Sequence, residues 1–402
     1  MKTIVLVCDG MADEPIEQLG GRTPLEAAKT PQMDALAREG KVGLTRIIAP
    51  GFAPASDVGN MAILGYDPNK YYSGRAPLEA ANMGVPLRDG DVAFRCNLVT
   101  VDNGLMADYS AGHISSDEAK TLIQAVAAKL GAQTLEFYPG IQYRHLAVFR
   151  EPESKESLLK TACRPPHDIM GKKVSENWPK GPASQRLVEM METSRELLSS
   201  QEINQVRLDL KENPANMIWF WGQGTRLEIP SFQERWKLTG SVISAVDLVK
   251  GAGRLAGLEV VEVPGATGYY DTDYLAKANY ALNTLRKHDF VFVHVEAADE
   301  AGHNGDLRQK ITAIENFDKL VVGTVAEKAR TFKEARILVI PDHPTPVEKR
   351  THTSDPVPFL VWGKGIPAGS TGTFGETQAR NSGWFVEEGY GILPRLLTEK
   401  SL

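Results

Sequence analysis

Cysteine is scarce in this chain: three in 402 residues, Cys8, Cys96 and Cys163, far apart and outside any CxxC pattern. That excludes a disulfide framework and a zinc knuckle, and it points to buried thiols in a reducing, cytoplasmic compartment. Long apolar runs are missing too. The run from Ile4 to Cys8 is stopped by Asp9 after five residues, whereas a secretory leader needs a longer stretch and a membrane span roughly 20 apolar residues. No membrane partner is expected. Positive charge is also short, with 45 Lys and Arg against 51 Asp and Glu and a formal net charge of -6. A duplex-binding protein carries a basic excess or stripe, so no nucleic-acid partner is expected. An anionic substrate would need a local cluster of Arg, Lys and His. There is no P-loop, no kinase-type glycine-rich signature, no repeat and no low-complexity tract.

What is present is ordinary globular material, 42% hydrophobic and 24% charged, in a chain long enough for two cores. Four short runs rich in β-branched and aromatic residues, Thr3–Val7, Phe290–Val295, Arg336–Ile340 and Val357–Trp362, read as buried parallel strands. Helical spacing follows Thr30, a cap before Pro31, and covers Ser244–Leu255, Thr272–Lys287 and Leu307–Lys328. Alternation of the two predicts an α/β fold, a mostly parallel sheet flanked by helices. From Tyr71 to Lys237 the texture changes. Possible strands (Asp91–Val101, Ile141–Arg150), a helix from Ser115 and a polar helical stretch Ala183–Leu210 mix with loops such as Arg164–Asp168 and Trp219–Gly224. The expected organisation is a core of residues 1–70 and 238–402 with an α+β domain, 71–237, inserted into it.

The chemistry-bearing residues fall at strand ends. Asp9 follows the first strand, Asp299 and His303 follow the Phe290 run at i and i+4, Asp342 and His343 follow Ile340, and His352 lies in the next loop. Ligands of open α/β sheets bind beyond the carboxyl ends of the strands, so these loops should converge. Three carboxylates and three imidazoles without a thiolate suit divalent ions of the Mn, Zn, Mg or Co kind, and six side chains exceed what one ion takes. Each residue alone has a plainer reading, as a turn, cap or loop residue; it is their joint placement that points to two metals. Ser56 opens a helical segment after Pro54 and Ala55. Its hydroxyl could cap that helix or, beside a metal, act as a nucleophile where a phosphate would sit. Spacing does not choose between them.

The segments VCDGM, ASDVGNMAILGYDP, DEAGHNGD, PDHPTPVEKRTHTSDPVPF, PPHDIMGK and WFWGQG together resemble the cofactor-independent phosphoglycerate mutases of the archaeal type, in the alkaline phosphatase superfamily, over essentially the whole chain. The resemblance implies an alkaline-phosphatase-like core with an inserted substrate-binding domain. It implies one metal on Asp9, Ser56, Asp342 and His343 and a second on Asp299, His303 and His352, manganese before zinc, cobalt or magnesium. Ser56 would carry the phosphoryl group between the 3- and 2-positions of glycerate, so the partner is a small phosphorylated substrate. In the insert, His113 resembles the family's histidine, His113 or Asp168 would move the proton, and Arg75, Arg144 and the Gly222–Gln223–Gly224 segment would touch substrate. A phosphomonoesterase or a homoserine-kinase-like phosphotransferase would use the same metals and serine. A non-catalytic binding protein would have lost ligands, and all seven positions are filled.

Overall fold

The computed structural model describes residues 1–369 and 372–400. The chain divides into two compact units, residues 1–72 with 229 onward, and residues 73–228. The first unit is built on an eight-stranded sheet. Side by side, its strands are Phe385–Val386, Lys41–Thr45, Val357–Gly363, Ala335–Ile340, Lys2–Cys8, Phe290–Val295, Gly240–Ile243 and Glu259–Val260. Lys2–Cys8 lies in the middle, parallel to both neighbours, with Ile4 opposite Val291 on one side and Ile337 on the other. These central strands are buried on both faces, which is why they read as continuous apolar runs and not as alternation.

Three expectations about this unit need correcting. Val357–Gly363 is antiparallel to both of its neighbours. It follows Ala335–Ile340 without a crossover helix, and a strand that returns through a loop must run backwards; an apolar run carries no mark of direction. Thr30 does not cap the helix Pro31–Glu39 with its side chain. The Asp318 carboxylate does so from elsewhere in the chain, accepting from Gln32 N (3.1 Å) and Met33 N (2.7 Å). Asp318 lies in a π-helical turn, Phe317–Val322, that joins Leu307–Asn316 to Gly323–Ala329. The segment 229–237 belongs to this unit. Its short helix Phe232–Trp236 sets Phe232 4.6 Å from the Phe290 ring and Trp236 5.9 Å from the Tyr66 ring. Burial of Phe232 and partial burial of Trp236 decide that allegiance.

The second unit has five antiparallel strands. Val92–Asp102 is the long one, paired with Leu105–Asp108, Arg144–Phe149 and Met217–Gly224, while Leu135–Tyr138 pairs with Arg144–Phe149. The helix Ser116–Leu130 starts in a capping box of Ser115 and Glu118, and the polar stretch forms two helices, Ser184–Ser199 and Glu202–Asp209. Trp219–Gly224, read from sequence as a loop, is part of a strand. Trp219 and Phe220 are fully buried opposite Asn97 and Cys96, and the glycines fall where the ladder slips register between Ala93 and Arg95. Among the described residues no helix is long and apolar enough to cross a membrane.

Candidate functional site

The carboxyl ends of three neighbouring strands meet as expected. Asp9 leaves Lys2–Cys8, Asp342 and His343 leave Ala335–Ile340, and the helix Ala297–Asn304 beyond Phe290–Val295 presents Asp299 and His303 one turn apart. Their loops touch at Gly10, whose φ is +61° and where a Cβ would stand 2.6 Å from Thr345 Oγ1 and 2.7 Å from Asp299 Cα. Only glycine permits that approach. Asp9, Asp299, Asp342 and His343 are all buried.

The three imidazoles share one arrangement. His303 Nδ1 is 3.2 Å from the Arg350 carbonyl, and His352 Nδ1 is 3.2 Å from the Pro54 carbonyl. His343 Nδ1 is 3.2 Å from Thr345 Oγ1, which itself donates to Asp299. Each Nδ1 therefore has an acceptor for its N–H, and that anchoring turns each Nε2 inward. His303 Nε2 and His352 Nε2 stand 2.8 Å apart, each 3.3 Å from an Asp299 oxygen. His343 Nε2 is 3.6 Å from Asp9 Oδ1 and from Asp342 Oδ2. Two sets, Asp299–His343–His352 and Asp9–Asp342–His343, each place their donor atoms within 4.8 Å of one another.

The electrostatics match. Burial, then Asp342 and Asp299, push the Asp9 carboxyl well above its usual range, and its Oδ1 has no hydrogen-bond partner. Burial opposes ionisation of Asp299 as well, but its hydrogen bonds to His303 and His352 hold it well below. Burial pushes the His343 ring down to about 4, and His303 rises to about 9 because the Asp299 hydrogen bond and charge outweigh its burial. A nitrogen–oxygen cradle with an orphaned buried carboxylate oxygen and no thiolate fits divalent cations.

Ser56 is the first residue of the helix Ser56–Ile63, whose N-cap position is Ala55, and in the first turn it is Asp57 Oδ1 that accepts from Val58 N (2.9 Å). Ser56 Oγ is 3.0 Å from His343 Nε2, so of the two readings left open by spacing, the cap is the one the geometry removes. Three residues of this centre escaped sequence reasoning. Asn60 donates to the Ser56 carbonyl and to Asp342 Oδ2, both at 2.8 Å. Thr345 bridges Asp299 and His343. His294, inside the apolar Phe290 strand, has Nε2 3.3 Å from Asp9 Oδ2; a lone histidine in such a run was the available signal.

In the second unit the predicted residues separate. Arg75 opens the helix Arg75–Met83, 5.4 Å above the Trp221 ring, and the backbone of Gly222 lies against its Cβ. Arg144 starts its strand beside Tyr143. Between them the sequence missed Arg95, which is buried, 4.2 Å above Trp221 and paired to Glu79 at 3.0 Å. Burial lowers the Arg95 guanidinium to about 10, Glu79 partly restoring it and Arg75 and Arg144 opposing. The buried Nε atoms of Arg75 and Arg95 face the Glu79 carboxylate at 3.5 and 3.0 Å without hydrogen-bond geometry, and the buried Arg144 Nε has no hydrogen bond. Gly224 packs on the Ser73 backbone. His113 is exposed on a turn in which Ala111, Gly112 and His113 all have positive φ, pinned by Asp108, which accepts from Ser110 and Gly112. Asp168 is exposed on the turn Pro166–Ile169, 3.7 Å from His167.

The sequence model of the 2,3-bisphosphoglycerate-independent phosphoglycerate mutases matches residues 37–204. A protein of that name from Methanosarcina barkeri is 53% identical over 363 residues, covering 90% of each chain. The chain belongs to this family. A probable member from Geobacter sulfurreducens is 48% identical over 99% of this chain and all of its own. Among solved structures, a Pyrococcus horikoshii protein is 32% identical with a TM-score of 0.83, covering 100% of this chain and 98% of its own. The cofactor-independent phosphoglycerate mutase of Thermoplasma acidophilum is 27% identical with a TM-score of 0.66, over 99% of this chain and 100% of its own. Family membership thus extends through both units.

Proposed function

We propose that the chain interconverts 3-phosphoglycerate and 2-phosphoglycerate through a phosphoserine on Ser56. The observation that carries this is the inward turn of three Nε2 atoms around Asp9, Asp299 and Asp342 with the Ser56 hydroxyl among them. Asp9, Ser56, Asp342 and His343 would hold one divalent ion and Asp299, His303 and His352 another, manganese before zinc, cobalt or magnesium. Bound there, such ions supply Lewis acidity to the serine hydroxyl and to the phosphoryl oxygens.

The chain's own groups do the rest. Ser56 Oγ, at the N-terminus of the helix Ser56–Ile63, where a phosphate is favoured, gives up its hydroxyl proton and attacks phosphorus in line. The bond from phosphorus to the glycerate oxygen breaks, and that oxygen takes a proton. The other glycerate hydroxyl then gives up its proton and takes the phosphoryl group from Ser56, whose oxygen is reprotonated. His113 or Asp168 would carry that proton. Arg75, Arg95 and Arg144 are suited to the substrate's carboxylate and phosphate, because among the described residues Glu79 is the one carboxylate paired to Arg75 and Arg95 and a guanidinium binds such anions through paired N–H groups.

The test is an enolase-coupled assay with 3-phosphoglycerate on protein reconstituted with Mn²⁺. Steady isomerisation with little released phosphate is expected. Phosphate release at a comparable rate would make the chain a phosphomonoesterase. Transfer to homoserine from a phosphate donor, without isomerisation, would make it a phosphotransferase.

A further inference from the structure

Behind the centre lies a buried chain of polar groups that neither the ligand set nor the proton-moving residues use. Lys277, on the helix Tyr274–Thr284, is fully buried and donates to Glu296 Oε2 (2.7 Å) and to the His294 carbonyl (3.0 Å). Glu296 Oε1 accepts from Ser244 Oγ and Ala245 N at 3.0 Å and stands 3.2 Å from His294 Nδ1. On its far side, His294 Nε2 faces Asp9 Oδ2 at 3.3 Å and Asp342 Oδ2 at 3.9 Å, with Asn60 Nδ2 at 3.4 Å. A buried ion pair whose members have no further duty is a poor source of stability, since burial of both charges offsets their attraction. Here the pair has a further duty. Lys277 compensates Glu296, and Glu296 fixes the ring plane of His294 through Nδ1.

We infer that His294 is a positioning residue for the Asp9 half of the centre: anchored by the Lys277–Glu296 pair, it ties down Asp9 Oδ2 and so presents Oδ1 to a divalent ion. The unpartnered state of Oδ1, 3.6 Å from His343 Nε2, is the mark of this division of labour within one carboxylate. Carboxylates and imidazoles one bond removed from a metal act in this way, by orienting its ligands. The inference rests on the metal reading of the centre.

The test is calorimetric titration of Mn²⁺ into metal-free protein, with pulsed EPR of the loaded form. In His294→Leu one binding step should weaken about 10–100-fold, with the other step, the histidine couplings in the EPR spectrum and the metal-free Tm unchanged. His294→Gln, whose amide N–H can still reach toward Asp9, should recover most of the loss. Glu296→Gln, which keeps the shape and an acceptor for Nδ1, gives a second variant and a smaller loss in the same step. Unchanged affinity in His294→Leu overturns the inference. So does loss of both steps with a lower metal-free Tm, which marks a core residue, and so does loss of a histidine coupling, which marks a ligand. Wild-type protein that takes up no divalent ion overturns the metal reading along with it; a wild type that binds while the variants match it overturns the inference alone.

Discussion

The centre of the first unit and the arginine cluster of the second are built on opposite principles. In the first, Asp9, Asp299, Asp342 and three histidines sit just past strand ends, and each histidine has a specific backbone or hydroxyl acceptor. In the second, Arg95 projects from the interior of a strand, Arg75 from a helix start and Arg144 from a strand start, and the group carries more donors than Glu79 can satisfy. Fixed orientation suits a site that must hold ions in one geometry. Surplus donors suit a site that must accept an anion and release it. The contrast is the one the proposed function requires, chemistry in one region and substrate capture in the other.

The largest expected effect tests that assignment at Ser56. Ser56→Ala should lower turnover by at least about 10⁴-fold and abolish the phosphoenzyme in intact-protein mass spectra, while Mn²⁺ uptake persists. Next comes Arg95→Met, which removes a buried charge-assisted donor worth about 2–3 kcal/mol. KM should rise about 30-fold with kcat within about 3-fold of wild type; a collapse of kcat like that of Ser56→Ala would break the contrast. A smaller effect is expected from Asp108→Ala, which frees the left-handed turn under His113. kcat should fall about 10-fold with KM little changed if His113 moves the proton, and an unaltered kcat would shift that role to Asp168.

The smallest effect is one of stability in the first unit. Burial pushes the Glu376 carboxyl up to about 7 from 4.5. The folded chain therefore keeps a proton that the unfolded chain loses between those values, so this group's contribution is full below about pH 4.5 and lost as pH rises through about 7. Glu376→Gln keeps an acceptor for Asp13 N and a partner for Thr23. It should flatten that slope and raise Tm by a few degrees at pH 8, with no change at pH 4. Equal Tm differences at both pH values would show that Glu376 is not the source.

The same contrast explains what the sequence made legible. Asp9, Asp342 and His343 could be found because buried parallel strands announce themselves as apolar runs, and the residue that ends the run must lie on the ligand-binding rim. Arg95 and His294 are signalled only as polar residues inside a strand; an interior position says that each is buried, and what it faces depends on other elements, Glu79 and Trp221 for Arg95 and Asp9 for His294. Val357–Gly363 was recognised as a strand, but its direction was set by the loop before it. Trp219–Gly224 was misread because glycine and aromatic residues suggest an irregular segment until Val92–Asp102 is there to pair with it. The cap on Pro31–Glu39 came from Asp318, and no local rule finds a cap 285 residues distant.

The backward run of Val357–Gly363 has one more result. Because that strand starts at the rim where Ala335–Ile340 ends, the backbone never leaves the rim between residues 341 and 356. One excursion of the chain thus delivers Asp342, His343, the Thr345 hydroxyl, the Arg350 carbonyl under His303, and His352. Lys310 clamps it by donating to the Thr345 carbonyl and to Asp13. Each donor set takes two of its three residues from this one stretch and the third from Asp299 or Asp9, so a length change anywhere in it disturbs the two together.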